Sequence, residues 1–291
     1  MKKALSLILA ALLVCCSVFA TACNEGESSE TESSEAESTA PATKKLRVGT
    51  YNIKHGADVS PDDNTGGMDA NADAIKVIAE DIKSLDLDIV GLQEIDQFMT
   101  RSGDVDTMGL LAEHTGYKYY YYIKAIDSKW KEGASCGSGI LSKYPINEET
   151  AYSIELSHGD NYDEVRMLGY AEIDVEGTTV HFFNTHLTPL DIEMRNVEFA
   201  KIAEKVTEKD ICILTGDFNV PTFDEFKVLT NLTNFNNEEH KFITYPKDQK
   251  FMDNILYTSN FTPVYENSGV LENGHSDHSL LYAEFEYTPN N

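Results

Sequence analysis

Basic residues are the scarce class in this chain. Twenty-three Lys and Arg stand against 49 Asp and Glu in 291 residues, leaving a formal charge of −26 at neutral pH. A body so anionic repels polyanions and argues against a nucleic-acid track, although a local basic patch could still serve one. Lys2 and Lys3 contribute +2 and six Glu between residues 24 and 43 contribute −6, so residues 44–291 carry −22. Cysteine is scarce where it would matter. Of five, three lie in the first 23 residues, leaving Cys136 in a Gly-rich stretch expected to be a loop and Cys212 in an apolar strand. Two cysteines make no disulfide framework, and no CxxC or Cys/His spacing suits structural zinc, so both are read as inert thiols. GxSxG, Walker and HExxH motifs are also missing, which removes the nucleophile-elbow hydrolases, P-loop NTPases and zincins.

What is present begins with an export signal. Met1-Lys2-Lys3 precedes an uncharged, mostly aliphatic run over 4–23. A basic start, an apolar run and small residues at its end form the pattern of a signal peptide. The run closes on Ala20-Thr21-Ala22-Cys23, which resembles a bacterial lipobox with Cys23 as the lipidated residue, although Leu is more usual where Ala20 stands. The alternatives are an uncleaved anchor or cleavage with release. Residues 24–43, built from Ser, Thr, Glu and Ala without an aromatic, cannot bury enough apolar surface to order themselves. They read as a tether with a reach of roughly 25 Å. The expected organisation is signal peptide 1–23, acidic linker 24–43 and one catalytic domain over 44–291, on the outer face of the cell membrane or secreted.

The domain alternates strand and helix patterns. Strands are expected at 46–53, 88–93, 118–126, 139–142, 146–156, 166–175, 178–187, 211–216, 251–259 and 279–287. Helices are expected at 70–84, 107–115 and 190–208. Glu176-Gly177 marks a short hairpin. This mixture predicts two packed sheets with helices outside. Tyr119 to Tyr122 point alternately to both faces of one strand and suit core and interface packing better than a sugar platform. The loop 57–69 holds Asp62, Asp63, Asn64, Gly66 and Gly67, does not fit a calcium loop, and reads as a solvated turn.

Reactive side chains gather where apolar strands end. TYNIKHG places Asn52 and His55 there; GLQEID places Gln93, Glu94 and Asp96; FFNTHL places Asn184 and His186; LTGDFNVP places Asp217 and Asn219; SDHSLL places Asp277 and His278. One such residue is usually a cap or turn residue. Five groups together, without a serine nucleophile, point to a site on loops held by a rigid sheet. Glu94 and Asp277 are hard oxygen donors suited to Mg²⁺, with Asn52, Asp217 and Asn219 able to add ligands or to hold water and phosphate. A His beside an Asp can act as a general base.

At these residues the chain resembles the endonuclease/exonuclease/phosphatase superfamily, which includes deoxyribonuclease I-like nucleases, abasic-site endonucleases, inositol polyphosphate phosphatases and sphingomyelinases. The resemblance spans about residues 46–288. TYNI, LQE, GILSKYPI (139–146), NTHL, GDFN, Met252-Asp253-Asn254-Ile255 and SDH follow in the family order. It implies a deoxyribonuclease I-like α/β fold, a four-layer αββα sandwich, and in-line attack of water on phosphorus. It implies that Glu94 is the principal metal ligand, with Asn52 and Asp277 nearby, for Mg²⁺ or alternatively Mn²⁺ or Ca²⁺. It implies that His278, oriented by Asp253, is a general base or phosphate clamp, and that Asp217 positions or activates water. Asn219 would bind a phosphate oxygen, and His186 would stabilise charge or protonate the leaving group. Arg166 resembles a family arginine that grips phosphate, a task suited to its fork; the alternative is an ion pair with Asp163 or Glu164. Cys136-Gly137-Ser138 stands where many relatives have Tyr-Gly-Asn, which puts a substrate contact in doubt rather than the metal chemistry. His55 and His275 are read as rim residues outside the core set.

Three functions fit. The first is an extracellular, membrane-tethered, monomeric phosphodiesterase or phosphatase acting on a small or lipid-linked phosphate. The second is a secreted nuclease, disfavoured by the charge of −22. The third, a catalytically silent binding lipoprotein, would call for a loss of Glu94, Asp217 or His278, and none is lost.

Overall fold

A computed structural model describes residues 43–62, 68–155, 165–189 and 191–289. The export segment, Cys23, nearly all of the linker, Asp63 to Gly67 and the acids Asp163 and Glu164 lie outside the described residues. Among the described residues no helix is long and apolar enough to cross a membrane.

Two βαβ units organise the domain. In the first, β1 (Lys44–Asn52) leads through helix α1 (Ala72–Ser84) to a parallel partner, β2 (Ile89–Gln97). In the second, β7 (Thr178–His186) leads through α3 (Ile192–Val206) to its parallel partner β8 (Cys212–Asp217). The remaining strands extend each pair by antiparallel pairing. They are β3 (Tyr119–Asp127), β4 (Ser135–Ser142), β5 (Ile146–Ser153), β6 (Met167–Val175), β9 (Thr233–Asn234), β10 (Asp253–Tyr257), β11 (Phe261–Pro263), β12 (Gly269–Val270) and β13 (Leu281–Tyr287). One sheet runs β11-β13-β1-β2-β4-β3 with β12 on β13, and the other runs β5-β6-β7-β8-β10-β9.

Side-chain alternation along the strands builds the layers. In β8, Ile213 faces the other sheet, whereas Cys212 and Leu214 face α3. Leu46, Val48, Ile89 and Ile140 of the first sheet meet Ala171, Ile173, Val180 and Phe182 of the second. Outside the first sheet, Ile75, Ile78 and Ile82 of α1 and Leu111 of α2 (Thr107–Thr115) cover Val90, Leu92 and Leu141. Outside the second, Phe199, Ile202 and Val206 of α3 cover Leu168 and Phe183. This is the αββα sandwich expected from the sequence.

Local chemistry sets the element ends. Asn71, Asp106 and Asp191 accept first-turn N–H groups and start α1, α2 and α3. Capping trims the helices expected at 70–84 and 190–208 to Ala72–Ser84 and Ile192–Val206. Glu176 and Gly177, both at positive φ, turn β6 into β7 as a two-residue hairpin requires. Cys136 lies within β4 instead of a loop, because its glycines let neighbouring backbone approach closely; a Cβ on Gly137 would meet the Ile123 carbonyl at 2.0 Å. Tyr121 and Tyr122 pack against the cores, whereas Tyr119 and Tyr120 remain exposed on the edge strand.

Candidate active site

The ends of β1, β2, β7 and β8 lie together, and the start of β10 and the loop before β13 reach the same end of the sandwich. Asn52 closes β1, His186 closes β7 and Asp217 closes β8. Asp253 opens β10 opposite Asp217. Ser276 anchors the last loop by donating to the Asn52 carbonyl at 2.7 Å. Glu94 arrives by a different device. The β2–β4 ladder shifts register between Leu92 and Ile95, and Glu94 sits in this bulge at φ 56°. A bulge breaks alternation and re-aims one side chain, which lets Glu94 leave the buried β2 face.

Asn52 joins the two halves of the site. Its Nδ2 donates to Glu94 Oε1 at 2.9 Å and to Asp217 Oδ2 at 3.1 Å. Asp217 Oδ1 accepts the Asn219 backbone N–H at 3.0 Å, and its Oδ2 lies 3.5 Å from His186 Nε2 and 3.7 Å from His278 Nε2. His278 Nδ1 pairs with Asp253 Oδ2 at 2.8 Å. Asn219, at φ 52°, places its Nδ2 3.1 Å from His186 Nε2 and donates to the Leu187 carbonyl. Arg166 is nearly buried and its Nη1 reaches the His186 carbonyl at 3.5 Å. Asp277 Oδ2 lies 3.2 Å from Lys54 Nζ. The expected residues Glu94, Arg166, His186, Asp217, Asn219, Asp277 and His278 line one cleft of about 450 Å³, with Asn52 and Asp253 bonded directly behind them.

Burial and charge separate the titrating groups. Burial would lower His278, but the Asp253, Asp217 and Asp277 carboxylates outweigh it and raise the imidazole to about 10. Burial, with Arg166 and the other histidines, holds His186 well below the ordinary imidazole range. Burial and the Asp253 charge raise Asp217 to about 6 against the opposing pull of His278 and Asn52. At neutral pH His278 is therefore cationic and His186 neutral.

Donor type and charge both suit a divalent cation. Asp217, Asp253 and His278 offer atoms within 4.8 Å of one another, a spacing that could hold an ion. Glu94 and Asp277 add hard oxygen donors in the same cleft, and the Asn52 amide bridges Glu94 to Asp217. Asp253 Oδ1 is buried without a hydrogen-bond partner, and the mutual repulsion of Asp253 and Asp217 is what a cation would relieve.

The cleft holds residues that motif reading left aside. His55 lies in the cleft, with Nε2 3.2 Å from Glu94 Oε2. His275 instead turns to α1, where its Nδ1 meets Asp81 at 2.7 Å. Arg101 forks onto both Asp96 oxygens, and the Tyr245 ring lies 5.0 Å from the His278 ring. Arg101 and Tyr245 sit in no motif. His55 carried a signal, because it stands two residues after TYNI. Cys136, Gly137 and Ser138 line the cleft wall, so the position that departs from many relatives does face substrate space.

Comparison with known proteins agrees with this geometry. The sequence model of the Endonuclease/Exonuclease/phosphatase family matches residues 49–278. Comparison with curated proteins gives no significant match. Solved structures do match. An endonuclease/exonuclease/phosphatase from Beutenbergia cavernae superposes with a TM-score of 0.67 at 22% identity, over 84% of this chain and 72% of that one. One from Bacteroides vulgatus gives 0.63 at 18% identity, over 84% and 99%. A mannosyl-6-phosphatase from Bacteroides thetaiotaomicron gives 0.55 at 20% identity, over 82% and 99%.

Proposed function

The chain belongs to the endonuclease/exonuclease/phosphatase family, and from that premise we propose that it is an extracytoplasmic, membrane-tethered, divalent-metal-dependent phosphoesterase of a small or lipid-linked phosphate ester. The observation that carries the reading is the meeting, in one cleft of about 450 Å³, of a carboxylate–amide donor set with a neutral and a cationic histidine. A cleft of that volume suits a compact ester, and the charge of −22 on residues 44–291 disfavours polyanions. The mannosyl-6-phosphatase that shares the fold brings sugar phosphates into the substrate panel.

Glu94, Asn52 and Asp277 would hold the ion, with Asp217 as the carboxylate that Asn52 shares with the histidine side. A bound divalent cation supplies Lewis-acid polarisation of the phosphoryl oxygens. The cationic His278, fixed by Asp253, clamps a phosphoryl oxygen. Asn219, close to the same space, would meet a second oxygen only by giving up its bond to His186, and the Arg166 guanidinium, on the His186 side of the cleft, grips the phosphoryl group. Asp217 is the proton acceptor for the attacking water, since its pKa of about 6 leaves it ionised at neutral pH and basic enough to take a proton. His186, neutral at that pH, holds its place by hydrogen bonding to Asn219, which leaves the cationic His278 as the group that can give a proton to the departing oxygen as the ester P–O bond breaks.

The test is hydrolysis by purified residues 44–291 of a phosphomonoester, a phosphodiester, a sugar phosphate, sphingomyelin, an inositol phosphate and plasmid DNA, with Mg²⁺, Mn²⁺, Ca²⁺ or EDTA. Turnover that needs metal and is lost in both Asp217→Ala and His278→Ala is the expected result. Best turnover on plasmid DNA would replace the small-ester reading with the nuclease. Folded protein that neither turns over nor binds metal would point to a binding lipoprotein.

A further inference from the structure

The turn after β1 is built against backbone preference. Lys54, His55 and Gly56 have φ of 46°, 58° and 83°, and only glycine is at ease there. Strain of this kind persists where the surrounding structure enforces it and clusters at functional sites. What this turn delivers is two side chains onto two carboxylates. Lys54 Nζ reaches Asp277 Oδ2 at 3.2 Å, and His55 Nε2 reaches Glu94 Oε2 at 3.2 Å.

We propose that His55 is a nitrogen ligand of the Glu94 metal centre and that it biases this centre toward Mn²⁺ over Mg²⁺. The proposal rests on the metal-dependent reading above. Two ligands at right angles on one ion, each about 2.1 Å from it, stand about 3 Å apart. The observed 3.2 Å between His55 Nε2 and Glu94 Oε2 already meets that spacing. The far side of the ring is arranged as metal-bound imidazoles usually are, with a carboxylate near the other nitrogen. His55 Nδ1 lies between Asp96 Oδ1 at 3.6 Å and Arg101 Nη2 at 3.4 Å; with Nε2 on the ion the ring proton would sit on Nδ1 and face Asp96, which is fully buried and fixed by the Arg101 fork and the Ser102 hydroxyl. The ammonium of Lys54 offsets part of the Asp277 charge and weakens the ionic hold on either ion alike, so the discrimination falls to the imidazole. An imidazole favours the later divalent ions, whereas Mg²⁺ prefers oxygen. His278 is the competing nitrogen, but its Nδ1 is engaged by Asp253 and its Nε2 faces Asp217, not Glu94.

The experiment uses the full chain stripped with EDTA and titrated separately with Mn²⁺ and Mg²⁺, as wild type, His55→Asn, His278→Asn and Glu94→Gln. Asn tolerates left-handed backbone, so the turn survives without the imidazole. His55→Asn is expected to weaken Mn²⁺ binding by about tenfold or more and Mg²⁺ binding by less than about threefold. Pulsed EPR of the Mn²⁺ form should show a ¹⁴N coupling that disappears in His55→Asn and persists in His278→Asn. An unchanged Mn²⁺-to-Mg²⁺ affinity ratio, or a nitrogen coupling that survives His55→Asn, overturns the proposal. If Glu94→Gln abolishes binding in that same case, the metal-dependent reading stands and only His55 is excluded. If the wild type binds neither ion, both fall. Should His55→Asn fail to fold, His278→Asn and His186→Asn carry the test, and loss of the nitrogen coupling in either overturns it.

Discussion

At the scale of single residues, the histidine–carboxylate group makes the domain's stability depend on pH in a definite direction. His278 has a folded pKa of about 10, above the ordinary 6.5, so the folded state holds a proton that the unfolded state has released between those values. Its contribution is fully present below about pH 6.5 and is lost as pH rises through about 10. Asp217, raised from 3.8 to about 6, acts in the same direction, costing stability as pH rises from about 4 to about 6. Thermal unfolding of the metal-free domain in EDTA should therefore show Tm falling between pH 7 and pH 10. His278→Gln should flatten that fall; a slope unchanged in the variant would mean that His278 is not held cationic. The same two groups bound catalysis. The kcat/KM profile of the metal-loaded enzyme should rise as Asp217 ionises and decline as His278 loses its proton, both limbs displaced below the metal-free values of about 6 and about 10 by the charge of the bound cation, and any residual activity of His278→Gln should lose the alkaline limb.

At the scale of elements, the outer helices fix the site's loops as well as cover the sheets. Asp81 of α1 is buried and accepts from the Tyr51 hydroxyl at 2.9 Å and the His275 backbone N–H at 2.7 Å, and it meets His275 Nδ1 at 2.7 Å. Tyr51 precedes Asn52 and His275 precedes the Asp277–His278 loop, so one carboxylate clamps both sides of the metal donor set. Asp81→Ala should cost about 2–4 kcal/mol in denaturant unfolding, because buried donors lose a charged acceptor. It should also lower kcat/KM about 10–100-fold, as loss of a support behind metal ligands does. Glu284→Ala, which removes the acceptor of the Lys45 and Asn267 contacts far from the cleft, serves as the control, with activity retained. On α3, Arg195 and Glu198 hold the segment after His186 in a similar way, through the Thr188 and Pro189 backbone. These supports explain what sequence reading could and could not reach. Motif order pointed to Asn52, Glu94, His186, Asp217, Asn219, Asp253, Asp277 and His278, which the fold brings to one end of the sandwich; all but Glu94, which sits in the β2 bulge, stand at or near a strand end. The strand expected at 88–93 ended early because the apolar run gives way to Glu94 and Asp96, although the strand continues through the bulge to Gln97. The entry of His55 into the cleft depends on consecutive left-handed residues, which hydrophobic periodicity does not register. Arg101 and Asp81 act through partners distant in the chain and belong to no motif. Between β8 and β10, where no element is expected from the sequence, the chain forms two short 3₁₀ turns and a two-residue strand, too brief to leave a period.

At the scale of the whole molecule, net charge bears on which substrates arrive. If Cys23 carries a lipid, Cys23→Ser should move the protein from the membrane fraction to the medium and abolish incorporation of labelled fatty acid; an unchanged partition would favour an uncleaved anchor. The anionic body acts on the approach itself. Fields from exposed charges extend about 8 Å at physiological ionic strength and about 20–30 Å at the lowest salt. With −22 on residues 44–291, a polyanion meets repulsion before it reaches the local cations Arg101, Arg166 and Lys250 that line the cleft. Raising NaCl from about 20 to about 200 mM should therefore increase kcat/KM several-fold for a polyphosphorylated substrate, by screening that repulsion. For a zwitterionic diester, which feels little net field, the same change should stay within about twofold. A protein that neutralises phosphates along a basic track behaves oppositely, because salt competes with the counterion release that drives its binding. A steep fall of kcat/KM with salt on DNA would thus reveal a cationic path hidden by the net charge and move the assignment to the nuclease.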